Sequence, residues 1–413
     1  MQARPRPALM TCLRHRFLWL LLSLLPPPLL AGLSGKGPLK RARPASATAS
    51  DPAPPPPKTA AQAREVRLQR AAYRQKQFSP APLSCSLGGQ SFLEGESVGP
   101  STRRLYSEWM KALEFFCSQA GVAAPEGEPF VHMLLDYLDY LFFRGFPVED
   151  AKKLMAAVKF SRTEFSPTGG QSTARIDRAL RGWSRHSVPR RRLPLPFPAL
   201  SALVGWMIQR GHFWTAIALL LSFFLYLRPG EMSALRAEHL TAPIPSAGLT
   251  FWTVTLALEE DGKPTKTGKY DEALLLDLPH HAVLSPWLRM LKEKRQPNES
   301  LWIHSHADMI KQLSLAAHEL GLSALNVEWY CARHGGASHD LQMKLRYVAD
   351  VKRRLRHVSD LSVRHYERSG KLAKATSLIP PATLQFGAAV GKHLQNVLQT
   401  RTLPMPLPAP PAL

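Results

Sequence analysis

The stretch FWTAIALLLSFFLYLRPGEMSALRAEHL, Phe213 to Leu240, decides how the rest of the chain is read. Phe213 to Leu227 is almost wholly apolar and then meets Arg228, Pro229 and Gly230. A membrane-spanning helix needs roughly 18 or more apolar residues, and this run is shorter. It predicts a helix buried in the middle of a globular domain. An arginine directly after such a run is costly to bury without a partner. Glu231, three residues on, can reach it on a helical turn and predicts an Arg–Glu pair.

Outward from this helix the chain divides by composition. Its 413 residues and 46.0 kDa allow two to three domains. Hydrophobic residues make up 45% and charged residues 20%, so most of the chain can bury a core. Residues 1–34 hold Arg4, Arg6, Arg14 and Arg16 before a short apolar run, Phe17 to Leu25, and read as a targeting segment or a disordered extension. Residues 35–100 read as a disordered, basic linker, Pro-rich around Pro54 to Pro57. Residues 101–187 predict an all-helical domain. Apolar positions such as Tyr106, Met110, Leu113 and Phe116 recur at helical spacing, and further helices are expected near 129–144, 148–160 and 173–183. Residues 188–196 carry prolines and Arg190, Arg191 and Arg192, a linker whose arginines suit phosphate contact.

The second domain, 197–375, predicts mixed structure. Helices are expected at 198–210 and 213–227, and two strands at 250–258 and 273–278. Asp261-Gly262 marks the turn between the strands. More helices follow at 307–320, 336–349 and 359–370. Residues 376–413 read as a tail with a short helix near Phe386–Leu398 that could dock on a neighbouring copy. The fold class is therefore mainly α with a small β-sheet, an all-helical domain preceding a mixed α/β one.

Charge and cysteine usage narrow the function. Lys plus Arg is 53 against 31 for Asp plus Glu, a net +22 with pI near 10.2. That balance is the footprint of a nucleic-acid binder, and an anionic membrane surface would attract it equally. Cys12, Cys85, Cys117 and Cys331 lie far apart with no Cys-x-x-Cys pair. A disulfide framework or structural zinc site is not expected, and a reducing compartment fits. The glycine-rich, Walker, His-Glu-x-x-His and Gly-x-Ser-x-Gly signatures are absent. His304 and His306 lack an evident third ligand.

What remains is a set of cations around one tyrosine. Arg228 and Glu231 follow the apolar helix. Lys266 lies in Pro-Thr-Lys-Thr-Gly-Lys between the two strands, with Lys269 a competing choice. Arg333 begins Arg-His-x-x-Ala-x-His just before an expected helix, where backbone amides would favour an anion. His357 precedes Tyr366 by nine residues, and the two arginines stand 105 apart. In this order and spacing the residues resemble the tyrosine recombinases, or phage-type integrases, over roughly residues 100–375. The resemblance is strongest in blocks 225–240, 330–341 and 353–370.

The resemblance implies a helical core-binding domain and a catalytic domain that close around double-stranded DNA, with a homo-tetramer on two duplexes. It implies that Arg228 and Arg333 hold the scissile phosphate, suited by their planar, always-charged forks. Tyr366 would attack phosphorus and form a 3′-phosphotyrosyl link. Lys266 would protonate the departing 5′ oxygen, His357 would hydrogen-bond the phosphate, and Glu231 would orient the arginines. No metal and no small-molecule cofactor is implied. Two positions depart from the pattern. Tyr330 stands where the family has His or Lys, and Arg356 stands where Gly often precedes the histidine, either crowding the site or adding a phosphate contact. The expected function is a site-specific recombinase or integrase, linked to a mobile element and acting in the nucleus or wherever its DNA target resides. A domesticated, inactive DNA-binding relative, a type IB topoisomerase and a membrane-targeted protein remain as alternatives.

Overall fold

The computed structural model describes residues 92–121, 126–187, 192–262, 265, 268–357, 359–364, 366 and 369–410. The targeting segment, the 35–91 part of the linker, Arg190, Arg191 and Lys266 lie outside the described residues. The described chain forms two units, divided near residue 190.

The first unit is helical. Short α1 (Phe92–Glu96) leads to α2 (Pro100–Gln119), α3 (Gly127–Phe143), α4 (Val148–Ser161) and α5 (Ala174–His186). Pro100 opens α2 in its first turn, where a missing amide proton costs nothing. Trp109, Leu113 and Phe116 of α2, Leu134, Tyr137 and Leu141 of α3, and Leu154 and Val158 of α4 are buried together, with Ile176 and Trp183 of α5. On the opposite side of α5, Arg178, Arg181 and Arg185 are exposed. Helical spacing puts the three along one stripe.

The second unit is built on α6 (Phe197–Gln209) and α7 (Phe213–Phe224), packed against each other. Every residue of α7 except Trp214 is buried, as the apolar run predicts. Next comes α8 (Pro229–Ser233), then a three-stranded antiparallel sheet, β1 (Leu240–Thr241), β2 (Thr253–Leu256) and β3 (Glu272–Leu275), in the order β1-β2-β3. Leu256 pairs with Glu272 and Val254 with Leu274. Val254, Leu256 and Leu274 turn one face onto the core. The remaining helices are α9 (Ser285–Glu293), α10 (His306–Glu319), α11 (Trp329–Gln342), α12 (Val348–Leu355), α13 (Asp360–Val363), α14 (Ser369–Ser377), α15 (Pro381–Lys392) and α16 (Leu394–Thr400). Ser305 caps α10, its hydroxyl accepting from the Asp308 amide at 3.2 Å. Among the described residues no helix is long and apolar enough to cross a membrane.

Four expectations need correction. The helix expected at 336–349 is two helices, α11 and α12, and α11 starts seven residues earlier, at Trp329. Gly335 and Gly336 read as a helix boundary, but they lie inside α11 because its backbone runs close to its neighbours there. A Cβ on Gly336 would fall 1.9 Å from the Phe223 carbonyl oxygen, and one on Gly335 would fall 2.2 Å from that of Leu195. The helix expected at 359–370 is likewise split into α13 and α14. Residues 192–196 are not a free linker. Leu195 is buried and its amide donates to the Cys331 carbonyl at 3.2 Å. Residues 381–400 are not a tail. Phe386, Val390, Val397 and Leu398 are buried in the same core, with α15 lying along α6.

Candidate active site

Arg333 sits in the second turn of α11, not at a helix start, and it is fully buried. Trp329 anchors this end of α11 by donating its indole N–H to Ser222 Oγ of α7 at 3.0 Å. From there the Arg333 guanidinium donates Nη1 to the Tyr226 carbonyl and Nη2 to the Leu355 carbonyl. It therefore joins the exit of α7 to the end of α12. Its Nε makes no hydrogen bond and is buried.

The exit of α7 has the shape this needs. Tyr226 adopts a left-handed backbone, φ +53°, and ends the helix before Pro229 starts α8. A non-glycine residue in that region is held there by its surroundings. The Tyr226 hydroxyl donates to Asp340 Oδ2, which also accepts from Arg346 Nε at 3.1 Å. Arg346 forks onto Asp277, and Arg354 donates to the carbonyls of Phe224 at 3.1 Å and Leu275 at 3.0 Å. Burial drives the Tyr226 hydroxyl far above its ordinary pKa, and the Asp340 carboxylate adds to the effect. It stays protonated and donates.

Arg228 occupies the N-cap of α8. Glu231 Oε1 accepts from its Nη1 at 2.5 Å, and Oε2 accepts from its backbone amide at 2.7 Å. The predicted Arg–Glu pair is thus present, three-quarters or more buried on both sides, with side-chain exposures of 18% and 14%. Glu231 Oε2 also accepts from Arg356.

Tyr366 follows α13 in a turn, its amide donating to the Val363 carbonyl at 2.8 Å. It is 5% exposed and packs with Tyr226, Ala337, Val351 and Leu355. Its ring stacks on His334 at 5.1 Å between centroids, and His334 also meets Tyr330 at 4.9 Å. His357 meets the Tyr366 ring edge-on at 5.9 Å. Tyr330, His334, His357 and Tyr366 line one cavity of about 410 Å³ together with Arg192 and Lys371. Burial raises the Tyr366 pKa, and the charge and hydrogen bonding of Arg333 oppose the rise, with Arg228 adding to that opposition. The two arginines do not line the cavity themselves. Their charges nonetheless reach the tyrosine.

Of the sequence-predicted residues, the structure brings Arg228, Glu231, Tyr330, Arg333, His357 and Tyr366 into this one cluster. Arg192 also reaches it, but its Nε is bound to Glu328 at 2.8 Å and its guanidinium lies 5.2 Å from the Tyr330 ring centroid. Lys269 is exposed on the segment joining β2 to β3 and does not line the cavity. Arg356 neither crowds the cavity nor lines it, since its guanidinium turns to Glu231. His334, the residue after Arg333, is a wall of the cavity. Burial, then the charges of Arg333 and Arg192, bring its pKa down to about 4, so the ring is neutral near pH 7. His339 stacks on Phe197 at 5.1 Å. Sequence reasoning missed Tyr226, Asp340 and Lys371. Tyr226 was hidden in the apolar run, and Lys371 had no neighbouring motif to mark it. Among the described residues no cluster of His, Cys, Asp and Glu is arranged to hold a metal ion, and Cys117 and Cys331 are buried thiols.

No family model matches the sequence, and no curated protein matches it. Comparison with solved structures finds similarity to tyrosine recombinases. A lambda integrase dimer bound to a COC′ core site is 14% identical, with 74% of this chain and 77% of that chain covered and a TM-score of 0.43. The XerH site-specific recombinase in a post-cleavage complex on a palindromic difH substrate is 15% identical, covering 67% and 76% at a TM-score of 0.40. XerA recombinase is 12% identical, covering 76% and 98% at 0.31.

Proposed function

We propose that this protein is a site-specific DNA recombinase that cuts and rejoins strands through a 3′-phosphotyrosyl intermediate. One observation carries the proposal. Arg228, Arg333 and the His357–Tyr366 segment are separate in sequence, yet they fold into one cluster beside a cavity large enough for a phosphodiester. A phosphodiester repels an incoming nucleophile, and preorganised cations at a low-dielectric site remove that barrier. The resemblance assigns the non-bridging oxygens to Arg228 and Arg333, and Arg333 would have to exchange a backbone carbonyl for phosphate to reach them, since both its terminal nitrogens are taken. Tyr366 gives up its hydroxyl proton to solvent and attacks phosphorus, its Oη forming the new P–O bond as the P–O bond to the 5′ oxygen breaks. Lys266, assigned by resemblance, delivers the proton to that oxygen, and His357 bonds the phosphate. Tyr330 can donate a hydrogen bond but relays protons poorly near neutral pH, given an ordinary pKa of about 10. Glu231 orients Arg228.

DNA affinity comes chiefly from phosphate contacts. The exposed stripe Arg178, Arg181 and Arg185 on α5 suits that work, as do Arg190, Arg191 and Arg192. In this proposal the protein works as a homo-tetramer on two duplexes, in the nucleus or wherever its target lies, and derives from a mobile element.

A second reading has its own support. Arg333 is wholly buried with both terminal nitrogens on backbone carbonyls, and Tyr366 is almost covered. A relative that binds DNA without cutting it would tolerate that arrangement. The full chain should be incubated with a library of nicked suicide duplexes and probed for covalent protein–DNA adduct. An adduct that disappears in Tyr366→Phe is the expected outcome. DNA binding without adduct, across a library that contains the retained site, favours the binding-only relative.

A further inference from the structure

The position after α12 is one that helices normally give to glycine, because the chain must turn left-handed there. Here it is Arg356, at φ +54° and ψ +42°. Its side chain is 2% exposed. A long cationic side chain placed in such a backbone, and buried, needs a strong local reason. Its contacts supply one. Nη2 donates to Glu231 Oε2, the carboxylate that also holds Arg228. Nε lies 3.4 Å from Glu272 Oε2, a charge contact without hydrogen-bond geometry, and Glu272 is the first residue of β3. Nη1 donates to the Arg354 carbonyl at 3.2 Å.

The charges close to Arg356 are those of Glu231, Arg333, Arg228 and Glu272. With Arg356 they make three guanidiniums against two carboxylates, one net positive charge. Without it the group is neutral, and Glu231 serves Arg228 alone. Burial brings the Arg356 pKa down to about 10, still well above neutral, so the charge persists.

We propose that Arg356 is a positioning residue that divides Glu231 between two guanidiniums, leaving Arg228 under-neutralised and the cluster net positive toward a phosphate, while Glu272 fixes it to β3. The proposal deepens the recombinase reading and rests on it for the identity of the anion as a DNA phosphodiester. The anion preference itself can be measured without any cleavage.

The test uses the full chain and inorganic phosphate, with binding followed by ³¹P line broadening. The signal belonging to this site is the part lost in Arg228→Ala. Arg356→Gly relaxes the left-handed turn, which offsets part of the cost of the lost ion pairs, and its phosphate binding is read below its own melting transition. Its phosphate binding at the site should be about tenfold weaker, the order of change expected from losing one nearby charge. Arg356→Lys should restore part of that loss, since one ammonium keeps the charge but cannot fork. Glu272→Gln leaves the turn untouched and makes the cluster more positive, so it should tighten phosphate by a similar factor. A merely structural role would not give opposite signs for these two variants. Wild-type affinity in Arg356→Gly, no tightening in Glu272→Gln, or no Arg228-dependent binding in the wild type each overturns the proposal. Opposite shifts in phosphate binding with no DNA adduct from the wild type would keep the role of Arg356 and remove the cleavage reading.

Discussion

Tyr226 illustrates how a single residue supports the cluster from underneath. Its carbonyl accepts from Arg333, its ring packs with Tyr366, and its hydroxyl donates to Asp340. Removing the hydroxyl takes one hydrogen bond from a buried carboxylate while Arg346 continues to serve it. Hydrogen bonds to charged groups contribute about 1.5–3 kcal/mol. Tyr226→Phe should therefore lower unfolding stability by about 2 kcal/mol, read by urea denaturation, while the ring keeps the backbone turn. A loss below about 0.5 kcal/mol would mean that the Tyr226–Asp340 bond contributes little to the native state. Arg333 depends on that turn. Its two carbonyl acceptors lie at the ends of different helices, so its place is set by α7 and α12 together.

At the scale of elements, the Gly335-Gly336 pair lets α11 approach α7 and so brings Arg333 beside the exit of α7. The same residues explain why the sequence placed this helix too late. Glycine is a poor helix former, and its use for close packing becomes visible only when the neighbouring backbone is known. The C-terminal helices teach a related point. Phe386 on α15 is fully buried, with Gly205 of α6 directly against its ring. Phe→Ala in a packed core costs about 3–5 kcal/mol. Phe386→Ala should lower the melting temperature of the second unit by a corresponding margin, and deleting residues 380–413 should prevent it from folding. A truncated chain with an unchanged melting transition would contradict this packing and return the segment to the role of a docking tail.

The whole molecule carries several histidines held neutral by burial. His281 is brought down to about 2, by burial first and then by the charges of His280, Arg354 and Arg346. His334 is brought down to about 4. His212, His280, His306 and His339 are lowered as well, with burial the leading cause in each. In the unfolded chain these rings take up protons near pH 6.5, whereas the native rings do so only at lower pH. The unfolded state then binds more protons, and stability falls as pH drops below about 6.5. For His281 and His334 the loss reaches about 2 kcal/mol each at pH 5. Thermal unfolding followed between pH 7.5 and 5 should show a steady fall in melting temperature over that window. A flat profile would mean that these rings are protonated, or exposed, in the native protein.

The sequence alone determined the main classes of structure. An apolar run too short for a bilayer, broken by Arg-Pro-Gly, could only be a buried helix. Amphipathic spacing marked the helices of the first unit, and β-branched runs around Asp261-Gly262 marked the hairpin. The set Arg228, Glu231, Arg333, His357 and Tyr366 stood out only through the resemblance of its order and spacing to a known family, each residue by itself being weak. What they touch was not legible. That Arg356 turns to Glu231, that His334 stacks on Tyr366, that Tyr226 bends to receive Arg333 and that Phe386 belongs to the core all depend on contacts between residues 32 to 181 positions apart. Periodicity and propensity describe a segment against its own axis. Only the packing of one segment on another settles which side chains share a buried charge.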